Sequence, residues 1–259
     1  MTVKDFVGYE VDDRIAVITF ARPEKRNAMT FAMLDEYEER VRQAGRDPEV
    51  RAVVVFGSGG SFCAGIDLAD LDGRTPEDRA RDDRTPEGLA AWPLVACPKP
   101  TVAAVEGYAV GMGAEISSQA DVRIAGAGAK FLWNFGQRGL VADTGAGTWL
   151  LPRLLGPTTA LDLLYSGRMV DAAEAARLGY VSAVVPAEDL LAEAVATARR
   201  LAVSSPFANG RTKELLYRGL GRTVEDHMVA HRTTVVECLG SDDHREGVAA
   251  FLEKRPARF

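Results

Sequence analysis

Two acidic residues of this chain stand on glycine-rich turns. Glu115 ends the segment GYAVGMGAE (107–115), and Asp143 opens DTGAGTW (143–149); a third turn of this kind is GSGGSFCAGID (57–67). Glycine lets a chain turn sharply into a helix, which leaves the first amides of that helix unpaired and pointing outward. Two converging amides form an oxyanion hole, which stabilises negative charge on a carbonyl oxygen. The pattern therefore indicates possible carbonyl chemistry with a carboxylate close by.

Each of these features also has an ordinary structural interpretation. Glycine-rich turns often serve only packing, a glutamate in the first turn of a helix often caps it, and an aspartate often begins a turn. Nucleotide binding is a further alternative, but no segment contains GxxxxGK[ST]. The GxGxxG pattern also fails, because Phe62 and Ile116 occupy its third glycine positions. The residues alone leave catalysis and packing both open.

Short β-branched runs indicate the elements that would position these turns. The predicted strands are Ile15–Phe20, Ala52–Phe56, Thr101–Val105 and Val122–Ala125. Thr30 is a predicted helix N-cap, because apolar residues follow it at helical spacing. Met112–Ala120 is a predicted helix that carries Glu115. Alternating strands and helices predict an α/β fold.

The chain changes character after Leu140, where helices predominate. The predicted helices are Asp171–Leu178, Ala187–Val203, Pro206–Leu220, Val224–Leu239 and His244–Lys254. We therefore divide the chain near residue 200, into an α/β body (1–200) and a helical tail (201–259). The charged segment from Asp70 to Gly88 is predicted to be a solvated loop or short exposed helix, with a lid beside a site as the alternative.

Composition excludes several classes of function. The 259 residues carry a net charge of -6, and the pI is near 5.3, so neither nucleic-acid binding nor a polybasic membrane contact is expected. No signal peptide or apolar run long enough for a membrane span is visible, and three cysteines without CxxC spacing suit a reducing cytoplasm. The histidine pair His227/His231 has helical spacing but no third ligand near it, so no metal site is predicted.

Seven blocks of the sequence, taken together, carry a resemblance to a known family. They are RPEKRNAM (22–29), SFCAGIDL (61–68), KPTVAAVEGYAVGMGAE (99–115), ADVRIAGAGAKF (120–131), GLVAD…TWLLPRLLG (139–156), AARLGYVSAVVP (175–186) and DDHREGVAAFLEKRPARF (242–259). They closely resemble the crotonase, or enoyl-CoA hydratase/isomerase, superfamily. The resemblance covers essentially the whole chain in order.

The resemblance implies a crotonase-like spiral of ββα repeats, followed by a C-terminal helical region that mediates assembly into a homotrimer or a hexamer built as a dimer of trimers. It implies an acyl-CoA substrate, with coenzyme A as part of the substrate and no separate cofactor. By position, the oxyanion amides would be those of Ile66 and Met112. Glu115 matches one of the two hydratase glutamates. The second falls at or near Phe135, which cannot transfer a proton, whereas Asp143 matches the carboxylate of isomerase-like relatives.

The same resemblance implies a set of substrate-binding residues. Lys25 and Arg26 fall near the CoA phosphates. Ala64, Asp67 and Leu68 fall at the adenine end of the CoA pocket. Gly111 precedes the Met112 amide, and Trp133 and Phe135 are expected near the acyl group. The segment Phe251–Phe259 would close over the CoA.

The expected function is therefore hydration of a trans-2-enoyl-CoA or migration of a double bond from a 3-enoyl to a 2-enoyl thioester, in fatty-acid or related metabolism. Three alternatives stay open: dehalogenation of the 4-chlorobenzoyl-CoA type, thioester hydrolysis, and CoA binding without catalysis. Dehalogenation would need Asp143 to attack an aromatic ring and a base for the hydrolysis step. All three histidines lie in the tail, which disfavours it.

Overall fold

The computed structural model describes residues 6–73, 75, 88–142 and 144–259. Asp143 and most of the charged segment between Asp70 and Gly88 lie outside the described residues, so what the sequence predicts for them stays a prediction. The α/β fold is confirmed by two sheets that helices flank.

Six strands form the larger sheet. They are β1 (Val7–Asp12), β2 (Ile15–Phe20), β3 (Ala52–Gly57), β4 (Thr101–Val105), β6 (Val122–Gly126) and β9 (Ala183–Val185), in the order β1-β2-β3-β4-β6-β9. Only the pairing of β1 with β2 is antiparallel. The continuous apolar runs of β3 and β4 are buried on both faces, as central parallel strands require.

Three shorter strands form a second sheet that the sequence does not predict. They are β5 (Tyr108–Val110), β7 (Lys130–Leu132) and β8 (Val170–Asp171), in the order β5-β7-β8. Strands of two or three residues are too short to show an alternating pattern. The chain passes from β4 to β5 through Gly107, whose φ is +56° and where a Cβ would lie 2.2 Å from the main-chain oxygen of Gly60. Only glycine fits this crossing.

The helices of the body include the one that carries Glu115. In chain order they are α1 (Phe31–Arg46), α2 (Leu68–Asp72), α3 (Pro93–Ala96), α4 (Met112–Gln119), α5 (Ala146–Trp149), α6 (Leu151–Leu155), α7 (Pro157–Ser166), α8 (Ala172–Arg177) and α9 (Leu190–Ala202). The predicted cap is confirmed, because the Thr30 hydroxyl accepts a hydrogen bond from the Met33 amide. Every residue of α4 is buried. The Glu115 helix therefore lies inside the protein.

Three helices form the tail: α10 (Pro206–Gly219), α11 (Val224–Leu239) and α12 (Asp242–Glu253). The last begins two residues earlier than predicted, because the Ser241 hydroxyl accepts from the His244 amide and so caps the helix before Asp242. The tail is tied to the body by Lys213, which donates to the Asp121 carboxylate at 2.7 Å. No helix among the described residues is both long and apolar enough to cross a membrane.

Candidate active site

The turn after β2 is built around the buried side chain of Asn27. Its Nδ2 donates to the main-chain oxygens of Ser58 (2.9 Å) and Ser61 (2.6 Å), while its Oδ1 accepts from the Arg22 amide at 2.8 Å. Asn27 has a φ of +55°, a conformation that asparagine tolerates better than most residues. This one side chain ties the turn after β2 to the glycine-rich turn after β3.

The next residues of that second turn leave one amide without an acceptor. The amides of Ala64 and Asp67 donate to the main-chain oxygens of Arg26 and Met29, and the Gly65 amide lies 3.4 Å from the Cys63 sulfur. Within the described part of the chain, the Ile66 amide donates no hydrogen bond. Met29 and Ile66 pair as in a parallel sheet: the Met29 amide donates to the Gly65 oxygen, and the Asp67 amide donates to the Met29 oxygen. The Ile66 N–H therefore points away from Met29. An amide held in this way is available to a ligand.

A second available amide lies next to this turn, at the start of α4. The Met112 N–H is the first of the helix and has no acceptor among the described residues, whereas the preceding Gly111 amide donates to the Leu132 oxygen. A Cβ placed on Gly65 would lie 3.0 Å from the Val110 oxygen and 4.0 Å from the Met112 nitrogen. The two glycine-rich turns are therefore in contact where the two predicted donors stand.

The Glu115 carboxylate lies one turn further along α4, and its residue is fully buried. Its Oε2 accepts a hydrogen bond from the Thr144 hydroxyl at 2.6 Å and another from the Gly147 amide at 3.0 Å. The carboxylate does not reach back to cap its own helix, which is the ordinary role that the sequence allowed. These two hydrogen bonds give one oxygen of the buried carboxylate polar partners, which offsets part of the cost of burying it.

Sequence reasoning misses the groups that hold this carboxylate. Thr144 and Gly147 follow Asp143 in the glycine-rich turn DTGAGTW, but nothing in their types or spacing indicates a partner 29 to 32 residues away. Trp92 does not bind the carboxylate but supports Thr144, because its Nε1 donates to the main-chain oxygen of Thr144 at 2.8 Å. The only sequence signal is that this turn belongs to the family blocks. Asp143 itself lies outside the described residues.

The residues predicted at the CoA end lie around the same two turns. Lys25 and Arg26 are exposed, and the Arg26 guanidinium lies over the Tyr108 ring at 5.2 Å. Asp67 is already engaged: it accepts from Arg22 at 2.6 Å, an ion pair that lowers the pKa of its carboxyl. Asp67 also caps α2, whose first residue, Leu68, is exposed. Its carboxylate therefore has a structural partner, and any contact with a ligand would be additional.

The aromatic residues predicted near the acyl group occupy different places. The Phe135 ring lies beside Gly111, where a Cβ would be 3.8 Å away, and so borders the start of α4. Trp133 is only 1% exposed and meets the Tyr180 ring edge-on at 5.2 Å. The Tyr180 hydroxyl in turn shares a hydrogen bond with the Ser117 hydroxyl on α4 at 2.8 Å. Phe135 is thus placed beside the predicted oxyanion amide, whereas Trp133 packs behind the helix.

No metal-binding cluster of histidine, cysteine and acidic residues occurs in the part of the chain that the structure describes. His227 and His231 stack on each other at 6.2 Å on α11. Near the site, burial raises the pKa of Cys63 to about 12, so this thiol stays protonated. The groups capable of chemistry in the described site are therefore the two amides and the carboxylate of Glu115.

Fold and site together define an α/β protein in which paired glycine turns present backbone donors beside a buried carboxylate. Comparison with known proteins agrees with this description. The enoyl-CoA hydratase/isomerase family model matches residues 10–259. The enoyl-CoA hydratase of Alternaria alternata is 37% identical over 249 residues, covering 95% of this chain and 83% of that protein. The 1,2-epoxyphenylacetyl-CoA isomerase of Escherichia coli is 34% identical over 259 residues, with 98% of each covered.

Solved structures show the same relationship. The crystal structure of an enoyl-CoA hydratase from Bacillus anthracis superimposes with a TM-score of 0.90 at 28% identity, covering 98% of each chain. The chain therefore belongs to the enoyl-CoA hydratase/isomerase family, within the crotonase superfamily. It is an enzyme of the crotonase type, and the resemblance seen in the seven sequence blocks is confirmed.

Proposed function

We propose that this protein binds an acyl-CoA thioester with the carbonyl oxygen between the amides of Ile66 and Met112, and that it moves protons on the adjoining carbons. The observation that carries the proposal is the pairing of these two available amides across touching glycine turns, one helical turn from the buried Glu115. The names of the relatives, a hydratase and an isomerase of CoA thioesters, agree with it.

The amides supply the larger share of the catalysis. Removing a proton next to a thioester puts negative charge on the carbonyl oxygen, and preorganised donors stabilise that enolate where water cannot compete. Removal of one such donor in other enzymes costs roughly 10²- to 10³-fold in kcat. Both donors here are main-chain groups on turns fixed by other hydrogen bonds, so they need no reorganisation when the charge develops.

Glu115 and Asp143 are the proposed proton-transfer groups. Glu115 is held by the Thr144 hydroxyl and the Gly147 amide. Asp143 is assigned through the family resemblance alone, because it lies outside the described residues. If both carboxylates hold one water, the reaction is hydration of a trans-2-enoyl-CoA. If one of them shuttles a proton between carbons, the reaction is a shift of the double bond.

Two substrates distinguish these outcomes and test the proposal. Purified protein is incubated with crotonyl-CoA and with a 3-enoyl-CoA, and loss of the enoyl absorbance or formation of a conjugated product is followed. Glu115→Gln and Asp143→Asn are expected to lower kcat by about 100-fold or more while CoA affinity holds, since general acid–base groups contribute on that scale. Failure of the wild-type protein to convert either substrate, despite tight binding of CoA, would exclude this function and favour the non-catalytic alternative.

The proposed CoA contacts follow the same turns. Lys25 and Arg26 would meet the phosphates, with Ala64, Asp67 and Leu68 near the adenine. Both cations are exposed, so they are free of the desolvation cost that burial would impose. We propose coenzyme A as part of the substrate and no separate cofactor. Binding of CoA that is weakened by raised salt, and further weakened by Lys25→Ala, would support this placement.

We also propose that the helical tail, residues 201–259, assembles the protein as a homotrimer or as a hexamer. Large apolar side chains stand exposed on all three tail helices: Leu216, Val224, Val229, Val236, Leu239, Phe251 and Leu252. Apolar surface on this scale is typical of an interface rather than of a monomer. Light scattering after size exclusion measures the mass directly, and a monomer at micromolar concentration would contradict the assembly.

A further inference from the structure

Thr144 joins two parts of the site that lie far apart in the sequence. Its hydroxyl donates to Oε2 of Glu115 at 2.6 Å, and its main-chain oxygen accepts from Nε1 of Trp92 at 2.8 Å. Trp92 is itself fixed, because it is 8% exposed and its ring packs against Trp149 at 5.3 Å. Packing therefore fixes the direction of the indole N–H. The hydrogen bond from the indole then fixes the orientation of the Thr144 main-chain carbonyl.

We propose that Thr144 is a positioning residue for Glu115 and that Trp92 holds Thr144 in place; the proposal rests on the proton-transfer function proposed above. A glutamate side chain has three rotatable bonds, so burial alone does not fix its carboxylate. A proton-transfer group must lie within hydrogen-bond reach of the reacting atom. The Thr144 hydroxyl supplies the short, directional bond that fixes one oxygen.

The second donor to the same oxygen explains why the hydroxyl matters. The Gly147 amide also donates to Oε2, at 3.0 Å. With one donor, the carboxylate could still rotate about that single contact. With two donors from one turn, Oε2 is held from two directions, and the carboxylate has less freedom to rotate. The Gly147 contact comes from the main chain and the Thr144 contact from a side chain, so a substitution at Thr144 tests one donor without adding bulk beside Glu115.

Threonine-to-valine substitution separates the hydroxyl from the bulk of the side chain. Thr144→Val is nearly isosteric and removes the hydroxyl, which donates to Glu115 and also accepts from the Ala146 amide at 3.3 Å, whereas Thr144→Ser keeps both hydrogen bonds and removes a methyl group. A hydrogen bond to a charged group is worth enough to predict a loss in kcat of about 10- to 100-fold for Thr144→Val. KM for the acyl-CoA should stay within about twofold, because the contact holds the carboxylate and not the CoA. Thr144→Ser should recover most of kcat.

Two further variants complete the experiment. Trp92→Phe keeps an aromatic ring and loses the N–H, and it should lower kcat in the same direction. Thr197→Val on α9 is the matched control, because the Thr197 hydroxyl also donates to a glutamate, Glu193, at 3.3 Å, but outside the site. It should leave kcat unchanged. Thermal unfolding of each variant shows whether it is folded, and if Thr144→Val does not fold, Trp92→Phe and Thr144→Ser still test the link.

Each result decides the matter. Wild-type kcat in Thr144→Val would overturn the proposal, as would equal losses in Thr144→Val and Thr144→Ser, since bulk and not the hydroxyl would then matter. A change in KM alone would also overturn it. Glu115→Gln separates this failure from failure of the function: if Glu115→Gln is inactive while Thr144→Val is normal, Glu115 transfers protons without help from Thr144. If Glu115→Gln keeps wild-type activity, Glu115 is not a proton-transfer group and the role of Thr144 falls with it, whereas the proposed function falls only if the wild-type protein converts neither substrate.

Discussion

A methyl group added at Gly147 would strike the Glu115 carboxylate. An ideal Cβ there lies 2.5 Å from Oε1 of Glu115, 3.0 Å from the Ala142 Cβ and 3.4 Å from Cδ2 of Leu164. The Ala142 Cβ is attached to buried main chain and moves little. Glu115 is the flexible neighbour, so Gly147→Ala should push its carboxylate away. The backbone φ of Gly147 is ordinary, so the substitution adds no conformational strain.

The size of the effect follows from the overlap. A normal carbon–oxygen contact is about 3.3 Å, so relief of the clash needs a shift of roughly 1 Å, a misplacement that costs about 100-fold in rate. The assay is the steady-state kcat for whichever enoyl-CoA the wild-type protein converts. KM should change little, because the added methyl meets the carboxylate rather than the two turns that carry the predicted oxyanion donors. Overpacking should also lower the free energy of unfolding by about 1 to 3 kcal/mol.

Two comparisons make the result specific. Gly8→Ala in β1 is the control, because its Cβ would meet Thr19 at an ordinary 3.5 Å and should cost no activity. Glu115→Asp withdraws the carboxylate by one methylene, so Gly147→Ala should cost less in that background than in the wild type, as a coupled pair requires. Wild-type kcat in Gly147→Ala, or strict additivity with Glu115→Asp, would refute the placement of Glu115 as the proton-transfer group.

The remaining predictions concern stability and reactivity. Asn27→Ala should lower the free energy of unfolding by about 3 to 4 kcal/mol in urea titrations, because it removes three hydrogen bonds and places alanine at a positive φ that asparagine tolerates better. A loss under 1 kcal/mol would show that water replaces these hydrogen bonds. Lys213→Met should lower the free energy of unfolding by about 2 to 4 kcal/mol, because it removes the largely buried cation that pairs with the Asp121 carboxylate; an unchanged midpoint would mean that the tail is held elsewhere. Alkylation at pH 8, followed by mass spectrometry, should modify Cys238 and spare Cys63, whose pKa near 12 leaves almost no thiolate; rapid labelling of Cys63 in the folded protein would contradict its burial.

The central strands and most long helices could be predicted from the sequence, because their signals are local. β2 and β4 are found at the predicted residues, and α11 runs from Val224 to Leu239 as expected. These segments contain enough residues for apolar periodicity to show. The three short strands of the second sheet were missed, because each is held by its neighbours rather than by its own sequence.

The candidate site divides in the same way. The sequence by itself determined the glycine-rich turns, the helix that carries Glu115 and, through seven blocks in order, the family. Only the tertiary structure decided that the Ile66 amide has no acceptor among the described residues, and that Thr144 and Gly147 donate hydrogen bonds to the Glu115 carboxylate. The physical reason is that these outcomes depend on which main-chain and hydroxyl groups find partners across a packed interface. A hydrogen bond between residues about thirty positions apart leaves no periodic trace in the chain.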